Sequence, residues 1–238
     1  MKIKIIGTFL ALIIGLTAIA NDFTYVIQDL NMENYWFKTG KTQEKVYNVA
    51  GKILTANNLN KRVPIVVVNK VNDINANSNT FYKNITIYTG ILRHISNDDE
   101  LAFILGHEMA HSIEAYGGPV KYISTVWNAK SYEMKADLKA IDYMVNAGYD
   151  PIAAIIIGNK IFEEPMWDWG FFASHPKGSK RLVHMYKYIY KKYPQYLNSP
   201  KTNSPYFKNF EYTFADELKG FRHKEDIRQQ KRAEKEGL

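Results

Sequence analysis

Apolar positions divide the chain into a short series of elements. Between residues 42 and 56, Val46, Val49, Ala50, Ile53 and Leu54 recur at the spacing of a helix that buries one face. Pro64-Ile65-Val66-Val67-Val68 is continuous and β-branched, which predicts a short buried strand. Asn69 to Asn79 is rich in asparagine and reads as a loop. From Phe81 to Thr89 the pattern alternates around Ile85 and Ile87, a strand with one covered face, and Gly90 ends it. Ser96-Asn97-Asp98-Asp99-Glu100 offers several N-caps with acids in the first turn. A helix is expected from there to Tyr116, where Gly117-Gly118-Pro119 stops it. A second should span Ser124 to Asn146, closed by Gly148-Tyr149-Asp150-Pro151, with further helices at 151–162 and 178–192. Residues 21–40 are mixed and aromatic, without a clear period. These elements predict an α+β fold, mostly helical, with a small β-sheet.

The two ends differ from this middle. Lys2 and Lys4 precede an apolar run from Ile5 to Ile19, and Ala18-Ile19-Ala20 is an A-x-A site before Asn21-Asp22. Residues 1–20 therefore read as a signal peptide cleaved between Ala20 and Asn21, which implies export. The apolar run is shorter than the roughly 20 residues a spanning helix needs. Residues 199–238 are aromatic up to Phe221 and mostly charged afterwards, a tail expected to fray or to form an exposed helix. Residues 21–198 are left as one domain, long enough for a real core.

Composition narrows the chemistry. The chain has no cysteine, so an exported form holds together by packing alone or by a metal that ties its helices. Its formal charge of +7 falls by two when Lys2 and Lys4 leave with the signal. That modest excess is compatible with peripheral contact to a membrane or to envelope proteins. Neither the aromatic-plus-basic motif of an RNA-binding sheet nor a recognition-helix pattern is present, so nucleic acid is set aside as a partner.

The chemistry concentrates in His107-Glu108-Met109-Ala110-His111. Residues four apart share a helix face, so both imidazoles can point at one zinc ion while Glu108 leans over the same ion, the arrangement a metal-dependent peptidase needs. Hydrolytic zinc keeps three protein ligands and one open position, so a third donor is required. Glu114, Glu133, Asp137 and His175 are the candidates. Glu114 lies one turn beyond His111 on the same helix and reaches the ion with difficulty. Glu133 is better placed, because a helix–turn–helix brings the second helix back against the first. Asp137, one turn after Glu133, can accept the outer ring N–H of a ligand histidine, His107 above all, and fix its tautomer. His94, His184 and His223 have no matching partners and read as surface or packing residues.

Four ordered blocks extend the motif. Glu100-Leu101-Ala102 leads into Gly106-His107-Glu108-Met109-Ala110-His111, and Glu133-Met134-Lys135-Ala136-Asp137 follows. Ala147-Gly148-Tyr149-Asp150-Pro151 comes next, then Ser174-His175-Pro176 with Arg181. In these blocks, over residues 60–190, the chain resembles the HtpX–CAAX prenyl protease family of zinc metalloendopeptidases, among the gluzincins. It departs from the metzincins, having Glu114 and Gly117 where those carry Gly and a third His. The resemblance implies a gluzincin-type fold with one Zn2+ held by His107, His111 and Glu133. It implies Glu108 as catalytic base, Asp137 supporting a ligand, and His175 near the metal, at the oxyanion or the water position. Arg181 is implied only as a supporting residue. Many relatives span the membrane several times, whereas this chain resembles a soluble, exported branch placed in a bacterial periplasm.

Polypeptides are the implied substrates. The strand from Phe81 to Thr89 precedes the zinc helix, as an edge strand does in gluzincins, and an extended peptide could pair with it. Backbone pairing carries little sequence preference, which suits unfolded or misassembled envelope proteins. The competing expectation is an envelope chaperone or assembly factor that keeps zinc for structure alone. A base beside an open coordination position favours the peptidase.

Overall fold

The computed structural model describes residues 25–28, 41–59, 65–68, 74–79, 84–114, 129–161 and 178–236. The signal segment with its cleavage site, residues 124–128 of the second motif helix, the stop at 117–119 and His175 lie outside them.

Strands β1 (Tyr25–Gln28), β2 (Ile65–Val68), β3 (Ala76–Asn79) and β4 (Asn84–Tyr88) form one mixed sheet in the order β1-β2-β4-β3. β1, β2 and β4 run parallel, and β3 is antiparallel to β4, with Ala76 opposite Ile87 and Ser78 opposite Ile85. The helix α1 (Lys41–Ala56) links β1 to β2, as a parallel pair requires. Its expected apolar face is buried, with Val46, Val49, Ala50, Ile53 and Leu54 in the core.

Three readings change here. β1 falls in a stretch without a visible period, because a parallel strand has no need to alternate. Residues 76–79, expected as loop, form a strand, because pairing with β4 supplies what Asn and Ser lack in intrinsic preference. β4, expected at the edge, lies between β2 and β3, so the terminal strand on that side is β3. A one-turn helix, α2 (Thr89–Leu92), follows β4 directly.

The helix α3 (Asp98–Glu114) occupies the centre of the molecule. Leu101, Ala102, Phe103, Ile104, Leu105, Met109 and Ala110 are all buried, so nearly every side is covered, as an apolar circumference requires. It packs on β3 and β4, on α1, and on the helices α4 (Ala129–Asn146) and α5 (Ile152–Ile161). Its N-terminus is capped by Asn97, whose Oδ1 accepts the Glu100 N–H at 3.1 Å, while Glu100 Oε2 accepts the Ser96 N–H at 2.9 Å. Glu100 is itself buried and is neutralised by Lys160 of α5, at 2.7 Å. α4 ends in a Schellman turn: Gly148 has φ of 72°, Tyr149 N–H reaches the Met144 carbonyl and Gly148 N–H the Val145 carbonyl. Asp150 then caps α5 through the Ile152 N–H at 2.9 Å and gives its own N–H to Asp99 of α3.

α6 (Gly178–Lys192) packs on α4 and α5. Two 3-10 turns (Pro194–Asn198 and Pro200–Asn203) lead to α7 (Pro205–Thr213) and α8 (Ala215–Glu236). Phe207, Phe210 and Leu218 join the main core, and Lys201 pairs with Asp99 at 2.8 Å. No helix of the described residues is long and apolar enough to cross a membrane.

Candidate metal centre

α3 carries His107, Glu108 and His111, α4 carries Glu133 and Asp137, and α6 carries Arg181. The closeness of α3 and α4 has a local cause. A Cβ placed on Gly106 would sit 3.3 Å from Ala140 Cα and 3.4 Å from its Cβ, so only glycine allows this approach without displacement. Ala136 and Ala140 are buried on the facing helix. Small residues on both sides bring the backbones together one position before His107.

That approach makes two i, i+4 pairs converge. The Nε2 atoms of His107 and His111 lie 3.1 Å apart. Glu133 Oε2 is 3.3 Å from His107 Nε2, and Oε1 is 3.1 Å from His111 Nε2. One donor atom from each residue falls within 4.8 Å of the others, so the triad can hold a metal ion. Tetrahedral coordination at zinc–donor lengths of about 2.0–2.1 Å places neighbouring donors roughly 3.3 Å apart, which fits this spacing. The donors are two imidazoles and a carboxylate, a set that suits zinc.

Behind the triad is a second layer of charge. His107 Nδ1 lies 3.0 Å from Asp137 Oδ1, which orients the ring with Nε2 toward Glu133. Asp137 is fully buried and is held bidentately by Arg181, with Nε donating to Oδ2 at 2.7 Å and Nη2 to Oδ1 at 2.6 Å. Arg181 Nη1 also reaches Glu133 Oε2 at 3.3 Å. One guanidinium therefore touches both acids of α4.

Burial sets the electrostatics. It would raise the Asp137 pKa, but the Arg181 charge and hydrogen bonds from His107 and Arg181 overcome it and hold the carboxyl at about 2. Burial would lower the His107 pKa, but hydrogen bonds to Asp137 and Glu133 and their charges push it up to about 9. Arg181 is likewise raised: burial opposes its charge, and Asp137, Glu133 and Glu108 outweigh burial.

Glu108 is 1% exposed, and neither carboxylate oxygen has a hydrogen-bond partner among the described residues. A buried carboxylate left without donors is costly and needs a reason. The Arg181 charge, to which Glu108 is coupled, offsets part of that cost. The structure thus brings together His107, Glu108, His111, Glu133, Asp137 and Arg181. His175 and the Glu114 side chain lie outside the described residues. Sequence reasoning passed over Gly106 as a packing contact; the available signal was a glycine inside an otherwise helical run.

Residues 38–115 match the model of peptidase family M48. The match supports the M48 metallopeptidase family and takes in His107, Glu108 and His111. It stops short of Glu133, Asp137 and Arg181, so the third donor and its supports rest on geometry alone. No curated protein matches the chain.

Proposed function

We propose that this protein is a zinc-dependent metalloendopeptidase of the exported type, cleaving unfolded or misassembled envelope polypeptides in a periplasm. The observation that carries the reading is the convergence of His107, His111 and Glu133 beside the buried Glu108, whose oxygens have no hydrogen-bond partner among the described residues. His107, His111 and Glu133 would hold one zinc ion, whose Lewis acidity acidifies water and polarises the scissile carbonyl.

The chain's own residues do the rest. Glu108 takes the proton of the attacking water and passes it to the leaving amine, a role its unpaired oxygens leave open. Asp137 keeps the His107 ring in register, and Arg181 keeps Asp137 ionised and Glu133 in place. His175 is assigned to the oxyanion or the water position. An extended substrate would pair with β3, the sheet's terminal strand, which lies against α3. The leader at residues 1–20, cleaved after Ala20, accounts for export.

The test is hydrolysis of an unfolded protein such as casein by the purified chain. Activity should vanish with chelator and return with zinc. Glu108→Gln should keep its metal and lose roughly 10²–10⁴-fold in rate, the range for removing a general base. Zinc-loaded protein that suppresses aggregation and cleaves nothing would instead establish the chaperone, and full activity in Glu108→Gln would remove the assigned base.

A further inference from the structure

We propose that α8 is an electrostatic docking arm for the anionic lipid surface of a membrane. Lys224, Arg228, Lys231 and Lys235 follow one another at i, i+4, i+7 and i+11, so they line one stripe of the helix, and Arg232 widens it. All five side chains are exposed, as is every residue from Asp226 to Arg232. Lys224, Lys231, Arg232 and Lys235 enter no ion pair among the described residues.

Two acids that border the stripe on its inner side, Glu217 and Glu225, are already engaged. α8 lies beside α6 in the same sense, through Lys187 with Glu217, Tyr190 against Phe221 and Lys191 with Glu225. Glu225 is shared between Lys191 and Arg228, so it cannot neutralise both. A shallow cleft of about 260 Å³ opens there, lined by Tyr190, Lys191, Glu225, Arg228, Gln229 and Arg232. Three cations face one carboxylate, a site with room and donors for a phosphate headgroup.

The form of the surface selects the partner. A protein interface needs an apolar centre with aromatic or aliphatic anchors. This stripe has none: Ile227 at its margin, 37% exposed, is the one large apolar side chain in the last turns of the helix. A planar array of negative headgroups requires only aligned, unpaired cations. The helix has no apolar face to insert, so binding should be superficial and governed by salt.

The experiment is co-sedimentation of the full chain with vesicles of phosphatidylcholine alone or mixed with phosphatidylglycerol. The wild type should bind the mixed vesicles at low ionic strength, ignore the neutral ones, and dissociate near about 1 M salt, where the screening length falls to about 3 Å. Each cation at such a surface is worth about fivefold in partitioning, so Lys224→Gln/Lys231→Gln/Lys235→Gln should lose about 100-fold. The matching Lys→Arg triple should bind as wild type. Circular dichroism of both triples guards against a melted helix. The proposal is overturned if the wild type ignores anionic vesicles, binds neutral ones equally, or binds soluble polyglutamate but not vesicles. It is also overturned if the Gln triple, still helical, binds undiminished.

Discussion

Replacing Asp137 by Asn tests how the candidate centre is held. The substitution keeps the shape of the side chain and removes its charge. Arg181, 3% exposed, would then face a neutral amide through Nε and Nη2, with the Glu133 carboxylate still at 3.3 Å. Removing one partner of a buried ion pair typically costs about 3–5 kcal/mol, because the other charge stays behind uncompensated. For a domain of this size that is a loss of roughly 6–20 °C in Tm. The charge also contributes pH dependence. With its pKa held at about 2 against an ordinary 3.8, Asp137 stabilises the fold fully above pH 3.8 and loses that contribution as pH falls through 2. The Asn variant should lack that acid limb.

The same change should reach the metal triad. Without the carboxylate at 3.0 Å the His107 ring loses the partner on its Nδ1 side, and loss of such a support lowers metal affinity about 10–100-fold. Urea melts with and without zinc, together with chelator competition, read both effects. Arg181→Met alone should be as damaging, but Asp137→Asn/Arg181→Met should be less destabilised than the sum of the singles by roughly 1–3 kcal/mol, since neither member of that pair is left charged without the other and only Glu133 loses a neighbour. A single-variant cost below about 1 kcal/mol with unchanged zinc affinity would show that the pair neither supports the fold nor orients His107.

Three other outcomes follow from the geometry. Gly106→Ala adds a methyl 3.3 Å from the Ala140 backbone, which cannot rotate away. Overpacking of about 1–3 kcal/mol should outweigh the roughly 1 kcal/mol of helix preference gained and weaken zinc binding; a stabler variant with unaltered affinity by titration calorimetry would refute the constraint. In chelator-treated protein, the raised His107 pKa should stabilise the fold fully below pH 6.5 and lose that contribution as pH rises through about 9, a trend calorimetric melts can follow. Because zinc requires the deprotonated Nε2, its affinity should rise with pH up to about 9 and uptake should release protons, measurable by calorimetry in buffers of different ionisation enthalpy.

Much of this was legible in the residues because the polar signals are local. Asn97 with Glu100 marks the start of α3, and Gly148 marks the end of α4 through its left-handed backbone. Paired i, i+4 donors on two successive helices, His107/His111 and Glu133/Asp137, announce a shared face. What escaped was held by contacts between distant segments. β3 is a strand only because β4 is beside it, and β4 moves inward only because β3 takes the edge. Phe207, Phe210 and Leu218 of the tail belong to the same core, with α7 packed on α5 and Phe210 against Tyr186.

Gly106 shows why the site needed a structure while its ligands did not. Ligand types and their spacing are properties of one helix at a time, and they leave a readable period. The distance between two helices depends on what lies where they cross. Here that is a glycine against an alanine, Ala140, residues that carry no charge, no side-chain donor and little period. A bulkier pair would leave all four motif residues of α3 and α4 in place along the chain and separate their donor atoms beyond what one ion can bridge. The metal chemistry proposed for this protein therefore depends on a missing side chain as much as on the three donors present, and Gly106→Ala is the substitution that isolates it.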